Sequence, residues 1–196
     1  MMNSNSRIVL ASASPRRKQL LEMLGVPFRV VAPQVDETRR DGEAPDVYVV
    51  RLARAKAGAV AAREPGDVVL GADTAVVVGD EVLGKPSSAA DAIAMLTKLR
   101  GRTHQVFTGV ALTAGDRTEH ALDVTDVTFR ALTDELVAAY VRTGEPMDKA
   151  GAYAVQGQGA ALIEGIRGDF FGVMGLPLRL VLDLLERFGR PYRFTR

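Results

Sequence analysis

Leu10-Ala11-Ser12-Ala13-Ser14-Pro15-Arg16-Arg17 joins a strand end to a helix start and adds two cations, and its reading decides the fold. The run from Arg7 to Ser12 is rich in apolar residues (Ile8, Val9, Leu10, Ala11), as expected of a strand buried on both faces. Ser14 suits a helix N-cap and Pro15 the first helical position, where its missing N–H costs nothing. Leu20, Leu21 and Leu24 repeat at helical spacing, and Gly25 is placed to end the helix. The result is the opening of an α/β chain with an anion-binding corner. Free N–H groups of the first turn, the hydroxyls of Ser12 and Ser14, and the guanidinium groups of Arg16 and Arg17 converge there, and phosphate is the natural guest. On this stretch alone, arginines that simply point into water are an equal reading. The charge argues for the anion: a helix N-terminus prefers carboxylates, and this one carries two cations.

Composition limits what such a corner could serve. The chain has 196 residues, 47% of them hydrophobic, enough for a proper core in one domain spanning 1–196, with residues 1–6 read as a flexible start. Lys plus Arg number 25 against 24 Asp plus Glu, a net charge of +1, so no global field draws in a nucleic-acid polymer. No run has the length of a transmembrane helix, and Met1 to Ser6 lacks the apolar stretch of a signal peptide; a cytoplasmic protein without a membrane partner is the expectation. There is no cysteine, and His104 and His120 are the two histidines, so a bound ion would have to be held by carboxylates. That favours magnesium or manganese over zinc.

Further along, Phe28 to Ala32 reads as a second strand, and Pro33 to Pro45 as a polar, acidic loop carrying Asp36 and Glu37, a mobile edge of a site. Asp46 to Arg63 reads as a long helix whose apolar stripe holds Val49, Leu52, Ala53 and Val60, with Lys56 on the same face. Two fates suit that lysine: snorkelling past the helix edge, or reaching inward to a buried anion. Asp67 to Val78 is a strong strand interrupted by Gly71 and by the polar pair Asp73 and Thr74, followed by a short return strand between Asp80 and Gly84. A helix over Ala89 to Leu99 precedes two β-rich runs, His104 to Thr113 and Ala121 to Arg130, joined across Ala114-Gly115-Asp116. Thr133 opens another helix, Pro146 to Phe171 is glycine-rich and irregular, and Pro177 to Phe188 is a closing amphipathic helix.

Asp73 is the strongest candidate for chemistry. A carboxylate within so apolar a strand loses solvent, which costs several kcal/mol unless a metal, a cation or a proton compensates. A structural ion pair or a water-exposed strand end is the competing reading. Lys85, in the turn Leu83-Gly84-Lys85-Pro86, would lie near the strand that carries Asp73, although lysines in turns are usually just solvated. In Asp148-Lys149-Ala150-Gly151-Ala152-Tyr153-Ala154-Val155-Gln156-Gly157, small residues allow close backbone approach, and Gln156 supplies one donor and one acceptor. That amide matches the N3–H and O4 edge of uracil or thymine; rotated, it also faces cytosine. Gly168-Asp169-Phe170-Phe171 could close a nucleobase pocket, with apolar packing the commoner duty for its phenylalanines.

Ser12-Ala13-Ser14-Pro15-Arg16-Arg17, Gly71-Ala72-Asp73-Thr74, Gly84-Lys85-Pro86, Asp148-Lys149-Ala150-Gly151-Ala152-Tyr153 and Gly175-Leu176-Pro177-Leu178 occur in an order that resembles the Maf nucleotide pyrophosphatases over nearly the full chain. The resemblance implies an elongated, mixed-sheet α/β fold of the Maf and inosine-triphosphatase kind, with two lobes around a central cleft. It also implies hydrolysis of nucleoside triphosphates to the monophosphate and pyrophosphate, and suggests a homodimer. Carried over, Asp73 is the proton acceptor, and Arg16, Thr74 and Gln156 set substrate choice. The stretch around Gln156 looks like the dTTP and UTP branch, not the branch acting on 7-methyl-GTP. Ser12, Ser14, Arg16 and Arg17 would hold phosphate, with Lys56 and Lys85 offsetting its charge. A divalent cation, Mg2+ or Mn2+, would take Asp73 and Glu37 as ligands, which leaves Asp73 as base, ligand or both. The chain departs from the family at Gly172, where many members carry asparagine. Two other readings stand beside this one: a house-cleaning pyrophosphatase for modified purine triphosphates, and a nucleotide-binding regulator of septum formation.

Overall fold

The computed structural model describes residues 7–194; the start read as flexible, 1–6, lies outside the described residues. Strand β1 (Ile8–Ala11) is buried throughout and runs into α1 (Pro15–Met23), where the Ser14 side chain accepts from the backbone N–H of Arg17 and Pro15 occupies the first turn, as read. Gly25 follows with φ +64°. Then come β2 (Phe28–Val31), α2 (Pro45–Ala61), β3 (Val68–Val78), β4 (Glu81–Leu83) and α3 (Ala89–Leu99). The second half holds β5 (Thr103–Ala114), β6 (Arg117–Phe129), α4 (Asp134–Arg142), β7 (Ile163–Arg167), α5 (Phe170–Met174) and α6 (Leu178–Arg187).

The seven strands form one sheet in the order β2-β1-β3-β5-β6-β7, with β4 added to β3. β1 is parallel to both β2 and β3, whereas β4 on β3 and β7 on β6 are antiparallel, so the sheet is mixed. β1 lies between two parallel neighbours and its side chains are buried on both faces of the sheet, which is why its sequence is apolar without alternation.

Residue contacts divide the chain into two compact units. The first comprises the residues up to Asp73, Thr108–Asp123 and Gly175 onward; Val9, Ala11, Ala53, Ala57, Val60, Val69 and Ala111 form a core cluster there. The second comprises Thr74–Phe107 and Val124–Met174; its core includes Val76, Leu96, Leu99, Phe129, Tyr140, Tyr153 and Leu162.

β3 is the strong strand read there, and it runs unbroken through Gly71, Asp73 and Thr74, because backbone pairing does not depend on side-chain polarity. Two readings are corrected. β6 begins at Arg117, well before Ala121, so its first residues are polar strand. The stretch read as irregular, Pro146 to Phe171, holds three short 3-10 turns and β7, whose sequence Ile-Glu-Gly-Ile-Arg lacks the alternation of a half-buried strand.

Candidate active site

The site is built on a close approach of helix and strand in the first unit. Helix α2 buries Val49, Leu52, Ala53, Lys56, Ala57 and Val60 along one stripe. A Cβ on Gly71 would overlap the Ala53 carbonyl oxygen and lie 2.7 Å from the Ala57 backbone nitrogen. Gly109 does the same for β5, where a Cβ would fall 2.7 Å from the Val49 carbonyl. The two glycines and the facing alanines therefore let α2 lie almost on the strand backbones. Asp73 follows Gly71 by one pleat, so its side chain leaves β3 on the face that α2 covers.

Lys56 reaches inward. Its Nζ donates to Asp73 Oδ1 at 2.7 Å and lies 2.9 Å from Glu37 Oε1. Lys56 is 5% exposed and Asp73 7%, whereas the Glu37 side chain is 59% exposed. The ammonium thus meets the need for a cation beside Asp73, and the carboxylate keeps Oδ2 for a proton or a further cation.

Sequence reading missed the fastenings of the loop that carries Glu37. The Tyr48 hydroxyl donates to the Glu37 carbonyl at 3.0 Å, and Arg51 reaches the Thr38 carbonyl at 3.1 Å. Arg51 also grips Glu43, Nε to Oε1 2.5 Å and Nη2 to Oε2 2.7 Å, and this guanidinium holds the buried Glu43 carboxyl down to about 2. Far from a free edge, the loop is tied to α2. A Tyr and an Arg near the helix start, at Tyr48 and Arg51, were the available signal. Burial, followed by the charges of Asp73 and Glu37, raises the Tyr48 phenol above its usual value, so it remains a donor.

At the α1 corner, Ser12 is buried and its Oγ accepts from Ser14 N at 3.1 Å, while the Ser14 oxygen caps the helix. Both hydroxyls keep a hydrogen to donate. The first turn has no acidic residue. Arg16 and Arg17 are half-buried, and Arg17 Nε donates to the Gly175 carbonyl at 2.8 Å. Burial lowers the Arg17 guanidinium below its ordinary value; Asp73 opposes that and the neighbouring Arg16 adds to it. One of the two arginines read as phosphate ligands is therefore also a tie to the glycine that precedes Leu176-Pro177.

Ser12, Ser14, Arg16, Arg17, Glu37, Lys56 and Asp73 all lie in the first unit, where the charges of Asp73, Arg16 and Glu37 bear on the Arg17 guanidinium, while Thr74, Lys85 and Gln156 belong to the second unit. Thr74 is half-buried next to Asp73 in β3. Lys85 is exposed, just past the β3–β4 ladder whose last pair is Val76 with Leu83, on the side leading towards Thr74. Its turn is held by Gly151 N, which donates to the Gly84 carbonyl at 3.0 Å. Gln156 is exposed after the buried run Tyr153-Ala154-Val155. Phe170, read as either a pocket wall or, more commonly, packing, is 42% exposed and meets Phe171 edge to face. Gly172, at the departure from the family pattern, donates its N–H to Asp169 Oδ1 at 3.0 Å.

Among the described residues no group of three or more His, Cys, Asp or Glu could hold a metal ion. Asp73 and Glu37 nevertheless fit a magnesium site of the kind that takes one or two carboxylates and completes its shell with substrate phosphate and water. The two already share one cation, Lys56.

Among the described residues a mixed seven-stranded sheet and six α-helices define an α/β protein, and the buried Lys56–Asp73 pair and the cation-bearing start of α1 lie in its first unit. The fold is shared with the Ham1 protein of Staphylococcus aureus, whose structure matches at a TM-score of 0.51 and 17% identity over 93% of this chain and 97% of that one. The chain belongs to the Maf family, matching the Maf-like protein description over residues 7–188. Its relatives include proteins named dTTP/UTP pyrophosphatase. That of Symbiobacterium thermophilum is 53% identical over 185 residues, 94% of this chain and 95% of its own length. That of Myxococcus xanthus is 54% identical over 191 residues, 97% of each chain, and that of Bacillus cereus 47% over 183, 93% and 96%. Among the described residues no helix is long and apolar enough to cross a membrane.

Proposed function

We propose that this chain is a nucleoside triphosphate pyrophosphatase that hydrolyses dTTP and UTP to the monophosphate and pyrophosphate. The observation that carries the reading is the 53–54% identity, across nearly the whole chain, to proteins named for that activity. The buried Lys56–Asp73 pair supports it with chemistry.

In the reaction, water attacks the α-phosphorus, the bond to the α,β-bridging oxygen breaks, and pyrophosphate leaves. Asp73 accepts the water's proton on Oδ2, since Lys56 holds Oδ1. Lys56 keeps that carboxylate oriented and offsets its charge. The hydroxyls of Ser12 and Ser14, the first turn of α1 and the guanidinium groups of Arg16 and Arg17 bind phosphate oxygens, and Lys85 adds a further cation. Mg2+ or Mn2+, held by Asp73 and Glu37, would supply charge neutralisation on the phosphates. Thr74, Arg16 and Gln156 select the substrate, with the Gln156 amide facing the N3–H and O4 edge of the base.

The same reading includes a house-cleaning role in the cytoplasm, where nucleoside triphosphates are made and used, and a homodimer, which sedimentation equilibrium tests. The test of function is pyrophosphate release from a panel of canonical and modified nucleoside triphosphates with Mg2+ or Mn2+. Preference for dTTP and UTP is expected. A purine preference would overturn the assignment of the base, and absence of turnover would overturn the reaction.

A further inference from the structure

Gln156 stands at the tip of a loop in the second unit whose far end is held by the Glu145 carboxylate and whose near end is held by the Tyr140 hydroxyl bonded to it. On the near side, Ala154 N donates to the Tyr140 hydroxyl at 3.1 Å, and that hydroxyl donates to Glu145 Oε1 at 3.3 Å. On the far side, Gln158 N donates to Glu145 Oε2 at 3.0 Å and Gly159 N to Oε1 at 3.2 Å. Between them the chain turns at Gly157 with φ +96°, and a Cβ there would come within 2.9 Å of Glu145 Oε1. A Cβ on Gly159 would meet the Tyr140 hydroxyl at 2.6 Å. The loop is therefore wrapped around the Tyr140–Glu145 pair, and the two glycines are what allows it to close that far.

Glu145 is itself fixed. It leads a 3-10 turn, its N–H donates to Thr143 Oγ1 at 3.1 Å, and its carbonyl accepts from Lys149 Nζ at 2.7 Å. Tyr140 lies in the core of the unit, and burial raises its phenol above the usual value, which keeps the proton it donates. Ala154 and Gly159 are buried, so their N–H groups need partners inside the protein, and the Tyr140–Glu145 pair supplies them; Gln158 is exposed, and its N–H, which could bond to water, is taken by the same carboxylate.

We infer that Glu145 and Tyr140 are positioning residues for base recognition: they hold the 154–159 loop so that the Gln156 amide is presented in one orientation. Orientation matters for this residue type, because a glutamine amide rotated by half a turn exchanges donor and acceptor and fits cytosine in place of uracil. On the proposed reading, the orientation held is the one that meets the N3–H and O4 edge of uracil or thymine. The inference rests on the proposed role of Gln156.

The test compares kcat/KM for UTP and CTP in wild type, Glu145→Gln, Tyr140→Phe, Gln156→Ala and the double variant Glu145→Gln/Gln156→Ala. Glu145→Gln places an amide N–H against backbone donors and breaks at least one of the two loop bonds. Its UTP-over-CTP ratio should fall by roughly fivefold to tenfold, the scale of a lost hydrogen bond, chiefly through KM for UTP. Tyr140→Phe should shift the ratio in the same direction and serves where Glu145→Gln does not fold. In the Gln156→Ala background, Glu145→Gln should cause no further fall, because the residue acts through Gln156. A core variant, Leu96→Ala, lowers Tm without moving the ratio and so separates stability from positioning. An unchanged ratio in both Glu145→Gln and Tyr140→Phe, with a fall in Gln156→Ala, would overturn the clamp and leave the role of Gln156 standing. An unchanged ratio in Gln156→Ala would overturn both.

Discussion

Lys56 Nζ lies 2.7 Å from Asp73 Oδ1, and both residues are almost wholly withdrawn from solvent although they come from a helix and a strand 17 positions apart. Glu37 supplies a second, exposed carboxylate to the same ammonium. This asymmetry separates the consequences of removing either partner. Asp73→Asn leaves Lys56 with Glu37, so Tm should change little while turnover of dTTP falls by roughly 10²- to 10⁴-fold, the usual worth of a general base. Lys56→Met leaves Asp73 buried and unpaired, and should cost on the order of 3 kcal/mol in urea unfolding as well as activity. Near-normal turnover by Asp73→Asn would remove Asp73 from the mechanism.

Gly71 sets the depth at which α2 rests on β3. Gly71→Val has no rotamer that avoids the Ala53 and Ala57 backbone, so α2 must move outwards and carry Lys56 from Asp73. Loss of both soluble folded protein and turnover is expected, whereas Gly58→Ala, on the open side of α2 with nothing near its Cβ, should be harmless or slightly stabilising. Equal behaviour of the two variants in thermal unfolding would contradict the close-approach explanation.

Much of this arrangement could be read from the sequence, for identifiable reasons. The strand–Ser–Pro–helix start has local chemistry at every position, so α1 and its cap at Ser14 came out as read. Lys56 was visible as a charge on an apolar stripe, but only the structure decides between the two fates of a lysine at such a place. The short strand β7 and the ties of Glu43 to Arg51 and Glu145 to Gln158 were not legible. They depend on pairing between distant segments, and polar residues in loops carry no periodicity that betrays a partner. Gly71 was legible only as an interruption of an apolar strand and Gly109 had no signal of its own, yet both mark where a helix comes close.

Acid stability should bear the mark of His104. The ring is buried against Phe129 and Tyr153, its Nε2 is 2.8 Å from the Tyr153 hydroxyl, and burial pushes its pKa down from 6.5 to about 4. A histidine whose folded pKa is depressed binds more protons when unfolded, so stability falls as pH drops below 6.5 and levels off near 4. The loss is on the order of 3 kcal/mol. Glu43, held at about 2, adds its own loss only below its ordinary 4.5. Urea titrations between pH 7 and pH 4.5 should therefore slope in wild type and flatten in His104→Gln; parallel slopes would exclude the histidine as the cause.

Chelation should act on turnover without acting on the fold. Among the described residues no cluster could cage an ion unaided, and the carboxylates of Asp73 and Glu37 already share Lys56. EDTA is expected to stop pyrophosphate release, restored by excess Mg2+ or Mn2+, with Tm of the nucleotide-free protein unchanged. A marked fall in Tm on chelation would point to a structural ion instead.

The most direct measurement is hydrolysis of dTTP in 18O-labelled water, with mass analysis of both products, by wild type and Asp73→Asn. Attack at the α-phosphorus with Asp73 as proton acceptor predicts the label in dTMP, unlabelled pyrophosphate, and at least roughly a hundredfold slower formation of both in Asp73→Asn. Label in the pyrophosphate, or an Asp73→Asn rate close to wild type, would contradict it.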